Sequence, residues 1–399
     1  MFPMNLCVKK PMFPMNLCVK KPMFPMNLCV KKPMFPMNLC VKIKKIIMSK
    51  QSKIEQFDPN GVGLKNGNFI GLPFDESESS IVLMPVPWDV TVSYADGTAT
   101  AATNILEAST QLDLHDSDAP NAWKYGIFYR PTDEKWLKKS QKWRKKAKKY
   151  IDFLEKGGIL SENPAMQQKL NKINTECEAL KNWVYAQTKE LLNQNKLVGL
   201  IGGEHSIPLG YLEALSERYD SFGILQIDAH FDLRAAYEGF TYSHASIFYN
   251  SLKIKNLQRI THVGIRDYCA AEADLVRQSA GRNVVFYDQD LREMQFDGQT
   301  WKQLCREIVG TLPQNVYISF DIDGLEPNLC PNTGTPVAGG LTFWEAVYLL
   351  KTVVSSGRKI IGFDLSEVGG LGKEWDGNVG ARILYKLANL MALSQGIKA

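Results

Sequence analysis

Short apolar runs alternate with amphipathic stretches along most of the chain. SIVLMP (Ser80 to Pro85), LVGLIGG (Leu197 to Gly203), FGILQID (Phe222 to Asp228), ITHVGI, VVFYDQ, NVYISFDID and KIIGFDLSEV read as buried strands. Helical patterns lie between them: AATNILEAS from about Ala101, Ile207–Ser216 and Phe343–Val354. Apolar strands alternating with helices predict an α/β protein with a mostly parallel sheet covered on both faces. Residues 132–196 break the alternation. Their two long helical patterns predict an excursion packed outside the sheet, or an oligomer contact. Nine Lys/Arg between Lys135 and Lys149 read as a solvated helix face, with a polyanion-binding patch as the lesser alternative.

The amino terminus is different. MFPMNLCVKKP occurs three times in tandem, followed by a truncated copy, MFPMNLCVK. A period of eleven suits a right-handed coiled coil, but proline at the third position of each copy argues against a helix. Residues 1–47 are therefore set aside as a repetitive tail, disordered or artefactual, and residues 48–399 are expected to form a single domain.

Composition adds the exclusions. In 399 residues, 45% are apolar and 22% charged, which suits one large α/β domain or two medium ones. The formal charge of +5 includes seven lysines in residues 1–42, which leaves −2 for the rest. The body thus gives no support for nucleic-acid binding. No apolar run is long enough to span a bilayer. Four of the eight cysteines belong to the repeats and none forms a CxxC. That usage predicts a reduced, cytoplasmic protein without disulfides or a thiolate zinc site.

Candidate chemistry gathers where the strands end. GGEHS places His205 after one strand, DAHFD places Asp228, His230 and Asp232 after another, and SFDIDG places Asp321 and Asp323 after a third. In parallel sheets, ligands bind beyond the carboxyl ends of the strands. Four carboxylates meeting there would repel one another and take up protons unless cations neutralised them. Six ligands suit two ions with bridging carboxylates, and His/Asp donors without thiolate favour Mn, Ni, Co or Fe. Two ions ~3.5–4 Å apart make a shared water nucleophilic at neutral pH. Across a loop from Asp232, His244 is placed to pass a proton to a leaving amine. Glu367 ends the strand FDLSEV, where a carboxylate would hold a flat cation. Taken singly, each has a plainer reading: a DxH string as capping residues, His244 as a helix-start residue. His262, inside a strand, reads as a packed histidine, and Asp364 as structural. The glycine-rich segments lack phosphate-cradle spacing, so no nucleotide is expected.

GGEHS, DAHFD, SFDIDGLEP with TGTP and GGLT, and DLSEV together resemble the arginase–agmatinase (ureohydrolase) family over roughly residues 80 to 395. The resemblance implies a doubly wound, mostly parallel eight-stranded sheet and a homotrimer or homohexamer. It implies hydrolysis of a guanidino C–N bond on two divalent ions, Mn(2+) or Ni(2+), the latter with possible metal-loading helper proteins. By motif, His205, Asp228, Asp232 and Asp321 would hold one ion, and Asp228, His230, Asp321 and Asp323 the other. His244 matches the family's proton-shuttling histidine and Glu367 its guanidinium-binding glutamate.

Departures from the family pattern bear on the substrate. Arg234 and Phe240 stand where arginases read the amino-acid end of arginine, which argues against arginine. Val337 replaces the usual glutamate of agmatinases, and Trp344 and Trp375 add aromatic bulk. Thr91 and Thr98 are candidates for shaping the pocket, with either tryptophan closing it; plain packing is the alternative for both tryptophans. These features point first to free guanidine as a small cationic substrate. Agmatine or another linear guanidino compound is the alternative. An inactive scaffold would lack metal ligands, and none is missing. A phosphoesterase would want cations aimed at phosphate, and only Arg234 and Arg266 lie near the motifs.

Overall fold

The computed structural model describes residues 49–397; the repetitive tail lies outside the described residues. Eight strands form one wholly parallel sheet: β1 (Ile81–Val86), β2 (Ile127–Tyr129), β3 (Leu197–Gly202), β4 (Phe222–Ile227), β5 (Leu257–Ile265), β6 (Asn283–Tyr287), β7 (Asn315–Asp321) and β8 (Lys359–Ser366). Their order is β2-β1-β3-β8-β7-β4-β5-β6. Seven of them coincide with the apolar runs. The eighth, β2, is an edge strand of three residues, too short for any periodicity to show.

Eleven helices are present among the described residues: α1 (Lys50–Gln56), α2 (Ala101–Ser109), α3 (Glu134–Glu155), α4 (Pro164–Asn193), α5 (Leu209–Arg218), α6 (Ile247–Ser251), α7 (Ala270–Gln278), α8 (Asp288–Phe296), α9 (Trp301–Gly310), α10 (Phe343–Ser355) and α11 (Glu374–Ser394). None is long and apolar enough to cross a membrane. Both faces of the sheet are buried, and successive strand residues serve opposite cores. In β1, Ile81 and Leu83 belong to the core that includes α2, α10 and α11, whereas Val82, Met84 and Val86 belong to the core that includes α3, α4 and α5.

The helical excursion is the pair α3 and α4. Asp133 caps α3 by accepting from the Lys135 and Trp136 N–H groups, and Asn163 caps α4, with Pro164 at its first position. Their apolar stripes (Trp136, Trp143 and Tyr150; Ile173, Leu180 and Val184) join the core below the sheet, and most of the lysines of α3 face outward.

Candidate active site

The four strands that carry the chemistry are neighbours in the sheet: β3, β8, β7 and β4. Their carboxyl ends bring His205, Glu367, Asp321 with Asp323, and His230 with Asp232 around one cavity of about 130 Å³, with Asp228 buried directly behind, against His205. Local backbone permits this crowding. A Cβ on Gly324 would lie 2.6 Å from the Asp228 nitrogen, so only glycine lets the turn after β7 approach β4 this closely. Asp232 and Glu367 adopt left-handed φ values of 56° and 60°, uncommon for side chains of their size and a local cost accepted at a functional position.

Two overlapping groups of ligands result. His205 Nδ1 lies 2.9 Å from Asp228 Oδ2, 3.0 Å from Asp232 Oδ2 and 3.3 Å from Asp321 Oδ2. His230 Nδ1 lies 3.1 Å from Asp323 Oδ2 and 3.6 Å from Asp228 Oδ1. Asp228 therefore faces both imidazoles with different oxygens. Their partners fix the ligands: His205 Nε2 meets the Ser319 hydroxyl at 2.9 Å, and Ser319 donates to Asp364 at 2.7 Å. The Ala229 N–H donates to Asp323, and the His230 N–H to Asp228. Gln226 also donates to Asp228 Oδ2 and contacts His262, whose other nitrogen meets Asn283. His262 is thus a packed residue behind the site.

The residues fit a pair of cations. His205 Nδ1 is buried and has no hydrogen-bond partner, although three carboxylates converge on it. Burial and the Asp228 charge push the Asp232 carboxyl up to about 7. Burial, Asp323 and Asp228 push Asp321 well above the ordinary range. Divalent ions bound by Asp/His donors would relieve this repulsion. The sets His205–Asp228–Asp321 and Asp228–His230–Asp323 each have donor atoms close enough to share one ion.

Glu367 and His244 face the same cavity. Glu367 Oε1 accepts from the His205 N–H at 3.0 Å, while its Oε2 is buried without a partner. Burial first, and neighbouring positive charge such as Arg144 after it, hold the His244 imidazole below the ordinary histidine range. It is a neutral imidazole at physiological pH.

The pocket wall differs from expectation. Trp344 is 68% exposed, packs edge-on against Phe343 and lines a separate groove with His115 and Arg382. The capping box of Thr342 and Glu345 fixes the first turn of α10, on which Trp344 is carried outward. Trp375 is 54% exposed and donates from Nε1 to the Asn328 carbonyl, which ties it to a loop away from the cavity lining. Neither indole closes the site. Thr98 is buried but does not reach the cavity, and Thr91 lies one layer behind it, bonded to Glu204 and His244. Ser93 and Thr335 supply the hydroxyls at the wall instead. Thr335 belongs to the TGTP string and Ser93 to the loop that carries Thr91, but neither follows a strand end directly, so spacing alone does not mark them as wall residues. Asp267 and Arg234 stand on the exposed side of the lining, with Glu272 buried beneath Arg234. Arg234 stacks 4.6 Å over Tyr237 and lies 3.6 Å from Glu272. Arg266 is engaged elsewhere, bridging the carbonyls of Asp323 and Val337.

The arginase family pattern matches residues 79–387. The chain belongs to the arginase family. It is a ureohydrolase, of the metal-dependent amidinohydrolase class. It is 27% identical to an N(1)-aminopropylagmatine ureohydrolase of Synechocystis over 80% of this chain and 91% of that one. It is 26% identical to an agmatinase of Bacillus cereus, over 73% and 84%. Its fold is similar to that of an agmatine ureohydrolase of Thermoplasma volcanium, with TM-score 0.61 and 20% identity over 82% of this chain and 94% of that one.

Proposed function

We propose that this ureohydrolase cleaves the guanidino C–N bond of a linear, amine-tailed guanidino compound of the agmatine kind, releasing urea. One observation carries the chemistry. The two carboxylate–imidazole groups, the unpartnered Glu367 oxygen and the neutral His244 face one small cavity. Two divalent ions, Mn(2+) or Ni(2+), would be held by His205, Asp228, Asp232 and Asp321, and by His230, Asp228, Asp321 and Asp323. When bound, they supply a water made acidic enough to attack at neutral pH.

The chain's own side chains do the rest. Glu367 Oε2 accepts N–H bonds from the planar guanidinium and offsets its charge in a water-poor site. That contact orients the central carbon toward the ligand cluster. His244 takes a proton as the water oxygen bonds to that carbon, then returns it to the departing nitrogen as the C–N bond breaks. The balance is one guanidinium and one water giving urea and a protonated amine.

Asp267 supports an amine tail. It lies at the rim with its side chain 69% exposed, where a second cation on the substrate would meet it. Agmatinase and aminopropylagmatine ureohydrolase relatives are consistent with this. Free guanidine is the second reading, favoured by Arg234, whose charge at the rim opposes a cationic tail. The test is urea release by Mn- and Ni-loaded enzyme from agmatine, its aminopropyl derivative, free guanidine and arginine. The proposal expects amine-tailed substrates to have the highest kcat/KM. A kcat/KM for free guanidine above all of them would replace it with the second reading. No urea from any would overturn both.

A further inference from the structure

Glu204 lies outside the ligand set, yet it is fully buried and accepts three hydrogen bonds. Its Oε2 takes the Thr91 N–H at 2.7 Å. Its Oε1 takes the Thr91 hydroxyl at 2.9 Å and the Ser206 hydroxyl at 2.7 Å. Thr91 Oγ1 in turn is 3.2 Å from both the backbone N–H and Nδ1 of His244. Gly203 makes the approach possible, since a Cβ there would overlap the Trp88 carbonyl that receives the Glu204 N–H.

A hydroxyl has one proton and two acceptor sites. With the Thr91 proton on Glu204, both acceptor sites face His244: one receives the backbone N–H, and the other is left for Nδ1. Nδ1 must then carry a proton, and Nε2 keeps its lone pair. We propose that Glu204, acting through Thr91, is a positioning residue that holds His244 in the tautomer able to accept a proton at Nε2. This rests on the reading of His244 as the proton carrier, but the tautomer is measurable without any substrate.

Glu204→Gln makes the chain of bonds reverse. The Thr91 backbone N–H can only donate, so the amide oxygen must occupy the Oε2 place and the amide NH2 the Oε1 place. The NH2 then donates to Thr91 and Ser206. The Thr91 proton turns toward His244 Nδ1, which must lose its own, and Nε2 becomes protonated. Geometry is kept and the base is lost.

Neutron crystallography of the perdeuterated, metal-loaded enzyme reads this directly. The expected result is deuterium on His244 Nδ1 in the wild type and on Nε2 in Glu204→Gln. Kinetics should show kcat lowered about 10²–10⁴-fold with KM and metal content little changed. Thr91→Val should lose rate comparably, and Thr91→Ser should recover most of it. Deuterium on Nε2 in the wild type, or an unchanged tautomer in Glu204→Gln, would overturn the proposal. If the tautomer switches while no guanidino compound is hydrolysed by the wild type, the positioning role stands and the function reading fails.

Discussion

Glu367 has one oxygen committed to the His205 N–H and the other free. That asymmetry decides what Glu367→Gln does. The amide oxygen must stay on the N–H, so the NH2 faces the guanidinium and repels its donors. Loss of a charge-assisted hydrogen bond with donor repulsion predicts a fall in kcat/KM of about 10²-fold or more, with metal content unchanged. Equal kcat/KM for the two proteins would remove Glu367 from substrate binding. Asp321 faces His205 and is hydrogen-bonded to the Asp323 N–H, so Asp321→Asn should lower bound metal below two ions per chain by elemental analysis. At this scale the clustering of these His and Asp side chains was legible because GGEHS, DAHFD and SFDID follow strand ends directly. Thr91 was visible as a polar residue near the site. Its bond to Glu204 was not, because no spacing rule joins residues 113 positions apart. The two tryptophans show the converse: nearness to a motif says nothing about which way a side chain in the first turn of a helix points.

Elements hold these residues still. The α3–α4 pair braces both loops over the cavity. Asn174 on α4 donates to the Gly239 carbonyl and accepts from the Thr241 N–H, gripping the loop that carries His244. Arg144 on α3 donates to the Val90 and Val92 carbonyls beside Thr91, and Ser140 donates to Asp89. Asn174→Ala should therefore lower kcat about tenfold while metal content stays at wild type. An unchanged kcat would leave α4 a purely structural role. Of the helices, α2, α3, α4, α5 and α10 were legible from their apolar stripes, whereas the other six were not. This bracing was not, since it runs through side chains on backbone carbonyls, which have no sequence pattern. On the opposite face, Glu345 closes the capping box of α10 and pairs with Arg292 at 2.7 Å. Burial alone would raise its carboxyl, but Arg292, the Thr342 N–H and Gln295 outweigh it and hold it at about 2. The folded value lies below the unfolded one, so the stabilisation is present above pH ~4.5 and is lost as pH falls toward ~2. Thermal melts of Glu345→Gln should show a deficit of about 1–3 kcal/mol at pH 7 that shrinks across that window. A deficit independent of pH would assign the effect to the cap alone.

The whole molecule couples metal to stability. The cluster joins β3, β4 and β7 at the centre of the sheet, and the unfolded chain has no such site. Ligands that bind the folded state alone stabilise it by about 2.7 kcal/mol at a hundredfold excess over Kd. Chelated enzyme should thus melt several degrees below the reloaded form, and identical melting temperatures would contradict the site's placement in the folded core. The α/β class and the parallel sheet were readable because both sheet faces are buried and the strands are continuous apolar runs. The cavity's outer wall was not, because Asp267 and Arg234 come together there only in the fold. Anomalous diffraction at the metal edge, from crystals of loaded enzyme, locates the ions. Two peaks are expected on either side of Asp228, one against His205 Nδ1 and one against His230 Nδ1. No peak there, or a metal bound elsewhere with this cluster empty, would contradict the two-ion site.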